Sequence, residues 1–127
     1  MKYVCLICAN TWMEKMTEDA RQAHFDEYRE FTEDLRRNGH LVAANRLQPP
    51  DTATTVRVRN GSVTTTDGPY AETKEQLGGY YVIETRDLNE AIRIASRIPG
   101  ARYGSVEVRP VAEDAQTAAA LESTADA

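Results

Sequence analysis

The chain has 127 residues, of which 28% are charged and 41% hydrophobic, and its formal net charge is −5. A chain of this length forms one domain with a single core. The negative charge and the lack of a clustered basic surface argue against binding to nucleic acid or to an anionic membrane, because phosphate contacts need grouped Lys and Arg side chains. No apolar run approaches the roughly 20 residues that span a bilayer.

The N-terminus resembles a secretory signal only superficially. Its apolar part is short, and no small-residue cleavage site follows it before Trp12. We therefore expect a cytosolic protein. Cys5 and Cys8 have the spacing of a redox motif, but residues three apart in a strand point to opposite faces, and no helix starts directly after them. This favours buried structural thiols over a redox or metal-binding pair.

The first half of the chain predicts a strand, a helix and a second strand. Residues 3–9 are almost continuously apolar and predict a central strand, followed by a loop at 10–16. Residues 17–38 predict a helix that ends at Gly39. Its apolar face is formed by residues that recur at helical spacing, namely His24, Tyr28, Phe31 and Leu35. Residues 41–47 predict the second strand, which ends before two prolines.

A β-hairpin is the strongest local signal in the chain. Residues 54–59 and 62–66 are β-branched runs joined by Asn60-Gly61, a dipeptide that suits a two-residue turn with positive φ. The following residues 67–76 are polar and rich in turn formers.

The second half predicts a strand at 79–85, a helix and a last strand at 105–109. Asp87 suits the N-cap of the helix, with Glu90 three residues later, and Pro99-Gly100 ends it. Beyond Val111 the Ala-rich, acidic composition predicts disorder. We therefore predict a domain at 1–111 and a disordered tail at 112–127.

The order of elements, β-α-β, an inserted hairpin, then β-α-β, predicts an α+β protein with a ferredoxin-like fold. Both helices then lie on one face of the sheet. The other face is left uncovered, which predicts a homodimer.

Strand alternation indicates which side chains reach that uncovered face. In residues 55–59 and 105–109 the valines share one side of each strand. If the valines pack under the helices, Arg57, Glu107 and Arg109 point into the space between subunits. They form there either a charge network or the polar floor of a pocket for a small anion.

The stretch 67–80, which begins Asp-Gly-Pro-Tyr and ends Leu-Gly-Gly-Tyr, resembles the signature of the YCII-related family, in the branch often called DGPF-domain proteins. Residues 47–50, 54–57 and 104–111 support the resemblance, which covers nearly all of residues 1–111. The resemblance implies a ferredoxin-like fold whose subunits pair through their sheets into a dimeric α/β barrel.

The resemblance also implies possible roles. Enzymatic activity has been suggested for the family from a His/Asp pair near a pocket. Here Tyr28 stands at the place of the His and Ile98 at that of the Asp, so the pair is absent. Members of the branch resemble proteins encoded beside or fused to extracytoplasmic-function sigma factors, which implies an accessory or regulatory role with a protein partner.

Several side chains are candidates for a site, each with a structural alternative. Asp67 is either a turn residue or a carboxylate base at the mouth of a pocket. His24 shares a helix face with Tyr28 and is either a core or interface residue or a group that titrates near neutrality in place of the missing histidine. Lys74 belongs either to a solvated loop or to a ligand site. The tyrosines are either pocket lining or interface packing: Tyr28, Tyr70, Tyr80 and Tyr81.

Two functions are compatible with these residues. In the first, the dimer cavity binds a small polar or anionic molecule and acts as an acid/base enzyme. Asp67 or His24 then moves a proton, Arg57 and Arg109 neutralise charge, and Tyr70 positions the substrate. In the second, the chain is a non-catalytic accessory module. No phosphate-binding loop, zinc-ligand set or nucleophile elbow is present, so we predict neither a cofactor nor a metal.

Overall fold

The computed structural model describes residues 1–10 and 15–125, so the predicted loop at 10–16 lies partly outside the described residues. The elements are β1 (Lys2–Ala9), α1 (Glu18–Arg37), β2 (Leu41–Arg46), β3 (Thr54–Arg59), β4 (Ser62–Asp67), β5 (Gln76–Glu84), α2 (Leu88–Ser96), β6 (Ser105–Pro110) and α3 (Ala115–Ala125). Short 3-10 helices follow β2 at Pro50–Thr52 and α2 at Pro99–Arg102.

Four strands form the main sheet in the order β2-β5-β1-β6, and every neighbouring pair is antiparallel. Strands β1 and β2, which α1 connects, are separated by β5, and β5 and β6, which α2 connects, are separated by β1. This arrangement confirms the predicted α+β class and is compatible with the ferredoxin-like fold.

Local sequence signals account for the ends of these elements. The side chain of Thr17 accepts a hydrogen bond from the Ala20 amide at 3.1 Å and caps α1. Asp87 accepts from the Glu90 amide at 2.9 Å and caps α2, as predicted. The predicted hairpin turn is also confirmed, because Asn60 and Gly61 have φ values of 52° and 77°.

The core lies between the two helices and one face of the main sheet. Its largest fully buried side chains are Leu35, Ile83, Ile98 and Cys5. Phe31 on α1 meets Tyr81 on β5 edge to face, with ring centroids 5.3 Å apart, and the Thr32 and Tyr81 hydroxyls are 2.7 Å apart. These contacts fix α1 on the centre of the sheet.

Both cysteines are free thiols. Cys5 lies in the core, and burial raises its pKa to about 11. The prediction of a buried structural thiol is thus confirmed for Cys5. Cys8 is only partly buried, and burial together with the negative charges of Glu75 and Glu107 raises its pKa.

The packing expected for the valines is correct in β6 and wrong in the hairpin. Val106 and Val108 pack against the core. Strands β3 and β4 instead pair with each other in a separate two-stranded sheet, apart from the main sheet on which α1 and α2 pack. Val56 and Val58 consequently remain 61% and 56% exposed.

The segment after β6 contains a helix, α3, where the composition predicted disorder. Asp114 accepts a hydrogen bond from the Thr117 amide at 2.8 Å and so caps an Ala-rich segment of high helix propensity. α3 has no extensive packing against any described element. Among the described residues, no helix has both the length and the apolar character needed to cross a membrane.

Candidate functional site

A cleft of about 950 Å³ lies between α1 and the end of the main sheet where β1 and β2 stop and β5 begins. Its walls combine aromatic rings, charged side chains and exposed backbone. The residues that line it include Ile7, Arg21, His24, Phe25, Tyr28, Ala44, Asn45, Arg46, Pro49, Asp51, Pro69, Glu72, Lys74, Gly78, Gly79, Tyr80, Tyr81 and Gly100.

His24 lies in the α1 wall of the cleft and is only 3% exposed. Its ring meets those of Tyr28 and Tyr103 edge to face, at centroid distances of 5.0 and 5.7 Å. Burial lowers the pKa of His24, Glu27 acts to raise it, and Arg102 acts to lower it. The imidazole is therefore neutral at pH 7, which is the form that accepts a proton.

Tyr28 joins α1 to the 3-10 helix Pro99–Arg102. Its hydroxyl oxygen accepts a hydrogen bond from the Gly100 amide at 3.0 Å, which leaves the hydroxyl proton available as a donor. Burial is the main reason that the pKa of Tyr28 is raised to about 12, so the phenol stays neutral. Because Ile98 directly precedes this helix, the two positions that the resemblance assigned to a His/Asp pair lie close together, occupied by a tyrosine and a buried isoleucine.

The hydrogen bond between the Tyr28 hydroxyl and the amide of residue 100 needs a glycine at that position. A Cβ atom at residue 100 would lie 2.5 Å from the Tyr28 hydroxyl oxygen and 3.2 Å from Ile7 Cγ2. Gly79 has a similar role on the sheet side, where a Cβ atom would lie 2.9 Å from the Asn45 carbonyl oxygen. Gly100 therefore allows the 3-10 helix to approach Tyr28 on α1, and Gly79 allows β5 to lie close to its neighbour β2.

Arg46 forms part of the cleft wall where β2 ends. It has the same strand parity as Ala44, which packs toward the core, so its side chain turns to the helix side of the sheet. The guanidinium carbon lies over the Phe25 ring, 4.7 Å from the centroid. This contact holds a cation between β2 and the first half of α1.

The signature loop, residues 67–80, folds around the Gln76 side chain. The Gln76 amide donates to the carbonyl oxygens of Ala71 and Thr73 and to the Thr73 hydroxyl, each at 3.0 Å. Gly68, with φ at 102°, donates its amide to the Ala53 carbonyl at 2.7 Å. The loop in this way brings Lys74 to the cleft.

Three of the predicted site residues therefore line the cleft: His24, Tyr28 and Lys74. Tyr80 and Tyr81, which were considered as pocket lining, also lie there. Phe25, Arg46, Gly79 and Gly100 were not among the predicted site residues. The sequence signal for Phe25 was its place beside the apolar face of the predicted helix. The signal for Gly79 was its place in the signature stretch.

Five predicted site residues lie elsewhere. Asp67 is exposed at the end of β4, and Tyr70 is 82% exposed. Arg57 donates to the Tyr70 carbonyl at 3.5 Å. Glu107 and Arg109 form an exposed ion pair at 2.6 Å on the face of β6 opposite the helices.

Fold and site define a small α+β protein with an antiparallel sheet, the helices α1 and α2 on one face of it, and a cleft at one end. The chain belongs to the YCII-related domain family, whose model matches residues 1–114. It is also similar to an uncharacterised protein of Rhizobium meliloti (strain 1021), with 45% identity over 76 residues. That alignment covers 58% of this chain and 61% of the relative, less than two thirds of that protein's length.

The contact between Tyr28 and Gly100 is tested by a double-mutant cycle. Gly100→Ala should lower the free energy of unfolding by about 1–3 kcal/mol, because the new methyl group displaces the Tyr28 hydroxyl. In the Tyr28→Phe background the cost should be smaller, since the atom at 2.5 Å is gone. Urea denaturation of the four proteins gives the coupling energy.

Gly78→Ala is the matched control for this cycle. A Cβ atom at residue 78 meets only the Ile7 carbonyl oxygen, at 3.9 Å, which is an ordinary contact. Equal costs of Gly100→Ala in both backgrounds would contradict the proposed clash.

The lowered pKa of His24 predicts a stability loss in mild acid. Above the ordinary pKa of 6.5 both folded and unfolded states hold a neutral imidazole, and the folded state keeps its full stability. As the pH falls below 6.5 the unfolded state binds the proton first, so the free energy of unfolding decreases until the folded pKa is reached.

Urea unfolding between pH 8 and pH 5 should therefore show a steeper decline for the wild type than for His24→Gln. His40→Gln is the matched variant, since it removes the other imidazole of the chain at a place outside the cleft lining, next to the Glu84 carbonyl. Parallel curves for wild type and His24→Gln would show that the folded protein leaves the pKa of His24 unchanged.

Proposed function

We propose that the protein binds a small polar or anionic organic molecule in the cleft and that His24 exchanges a proton with it. The observation that carries this proposal is that a single cleft collects a neutral imidazole, a tyrosine hydroxyl with its proton available, and cationic side chains. Such a combination of an apolar wall and a few converging polar groups is typical of ligand sites.

We further propose that the protein is a homodimer of the DGPF branch, in which the second subunit covers the open face of the main sheet. Val4, Leu6, Tyr80 and Val82 alternate with core residues and lie on the face opposite the helices. They form neighbouring cross-strand pairs, so this face is apolar at its centre.

The open face and the cleft share a border. Tyr80 lies on the open face and also lines the cleft, and its hydroxyl accepts a hydrogen bond from the Asn45 side chain at 2.9 Å. A second subunit on this face would therefore restrict access of water to the cleft. This supports a ligand cavity that is completed by dimerisation.

A thermal-shift screen of the purified protein against a metabolite library tests the binding proposal. A ligand at one hundred times its Kd should stabilise the fold by about 2.7 kcal/mol. The shift should persist in Asp67→Asn, because Asp67 lies outside the cleft lining, and should be lost in Ala44→Phe, because the larger side chain fills the cleft. A circular dichroism spectrum verifies that Ala44→Phe is folded.

The chemical step is tested separately on any compound that binds. Product analysis should show turnover by the wild type and a loss of at least about a hundredfold in His24→Gln, with binding retained. Binding without turnover would contradict the role of His24 in proton transfer and would leave the binding proposal intact. A complete absence of ligands would overturn the binding proposal and favour a non-catalytic accessory module linked to an extracytoplasmic-function sigma factor.

The dimer is tested by charge insertion at the open face. Val82→Arg should convert the dimer to a monomer, because Val82 pairs with Val4 and Ala43 at the centre of this face. Ile92→Arg is the control, since Ile92 is 49% exposed on α2 and lies on the helix side. Light scattering after size exclusion measures both masses, and a wild-type monomer at micromolar concentration would exclude the proposed assembly.

A further inference from the structure

Arg46 contributes an exposed cation to the wall of the cleft. The Phe25 ring covers one face of its guanidinium group, a contact that orients the group and leaves its N–H edges open to a planar partner. Among residues 1–10 and 15–125, no carboxylate lies within ion-pair distance of Arg46. A stacked guanidinium with unused edge donors suits a carboxylate that accepts two parallel hydrogen bonds.

The carboxylates of the cleft disfavour a ligand with more than one negative charge. Among the described lining residues, Asp51 and Glu72 carry negative charges, and Arg46 and Lys74 carry positive ones. A phosphate or dicarboxylate would meet repulsion from Asp51 and Glu72, whereas a monocarboxylate can place its single charge on Arg46.

The remaining walls suit a flat, apolar body. Tyr28 and Tyr81 line the cleft on the helix side of the sheet, and Gly78 and Gly79 line it with backbone. A Cβ atom at residue 78 would have no neighbour closer than 3.9 Å, so open space lies above the strand there. Aromatic rings stack well on such surfaces, and the Tyr28 hydroxyl supplies a donor for a polar ring substituent.

We propose that the ligand class of this cleft is an aromatic monocarboxylate, with Arg46 as the residue that selects for the carboxylate. This inference rests on the proposed function, because it names the ligand of the same cleft. Arg46 determines specificity and does not transfer the proton.

The test uses 4-hydroxybenzoate as the probe and 4-hydroxybenzamide as its neutral counterpart of nearly the same shape. Chemical-shift changes in the NMR spectrum of the labelled wild-type protein give the two Kd values and show whether Phe25 and Gly79 respond. The acid should bind at least about tenfold more tightly than the amide. Arg46→Gln should reduce the affinity for the acid about tenfold and leave that for the amide unchanged.

Arg37→Gln is the matched control, since Arg37 is an exposed arginine near the end of α1 and lies outside the cleft lining. It should leave both Kd values unchanged. Equal affinities for acid and amide, or an Arg46→Gln variant that binds the acid normally, would overturn the assignment while the cleft remains a ligand site. If neither probe shifts the cleft resonances, aromatic monocarboxylates are excluded, and the metabolite screen decides the broader binding proposal independently.

Discussion

The packing of α1 on Tyr81 determines where the cleft lies. The Phe31 ring meets Tyr81 edge to face, the Thr32 hydroxyl lies 2.7 Å from the Tyr81 hydroxyl, and Leu35 is completely buried one turn further on. These contacts attach the second half of α1 to the centre of the sheet. The first half, which carries His24, forms a wall of the cleft, where the sheet ends.

Burial gives the interior of the cleft its neutral character. Desolvation lowers the pKa of His24 and raises that of Tyr28 to about 12, so both groups are uncharged at pH 7. The formal charges of the cleft therefore come from other lining residues, above all the guanidinium of Arg46 and the ammonium of Lys74. In the proposed function, the residue that recognises the anion is therefore separate from His24, which exchanges the proton.

Helical periodicity predicted His24 and Tyr28 correctly as neighbours on one face, because spacing along a helix fixes which side chains share a side. Strand parity was less informative for Arg57. Alternation along a strand tells which residues share a face, but it does not tell which sheet the strand joins. The hairpin β3–β4 forms its own sheet, and Arg57 consequently lies apart from the cleft.

Local signals in the sequence determined the elements: the caps at Thr17 and Asp87 and the Asn60-Gly61 turn act between residues a few positions apart, so they can be recognised without a fold. Only the tertiary structure placed Arg46 over Phe25 and the Gly100 amide on Tyr28. Those contacts join residues 21 and 72 positions apart. They depend on strand register and on the docking of α1, which long-range packing decides.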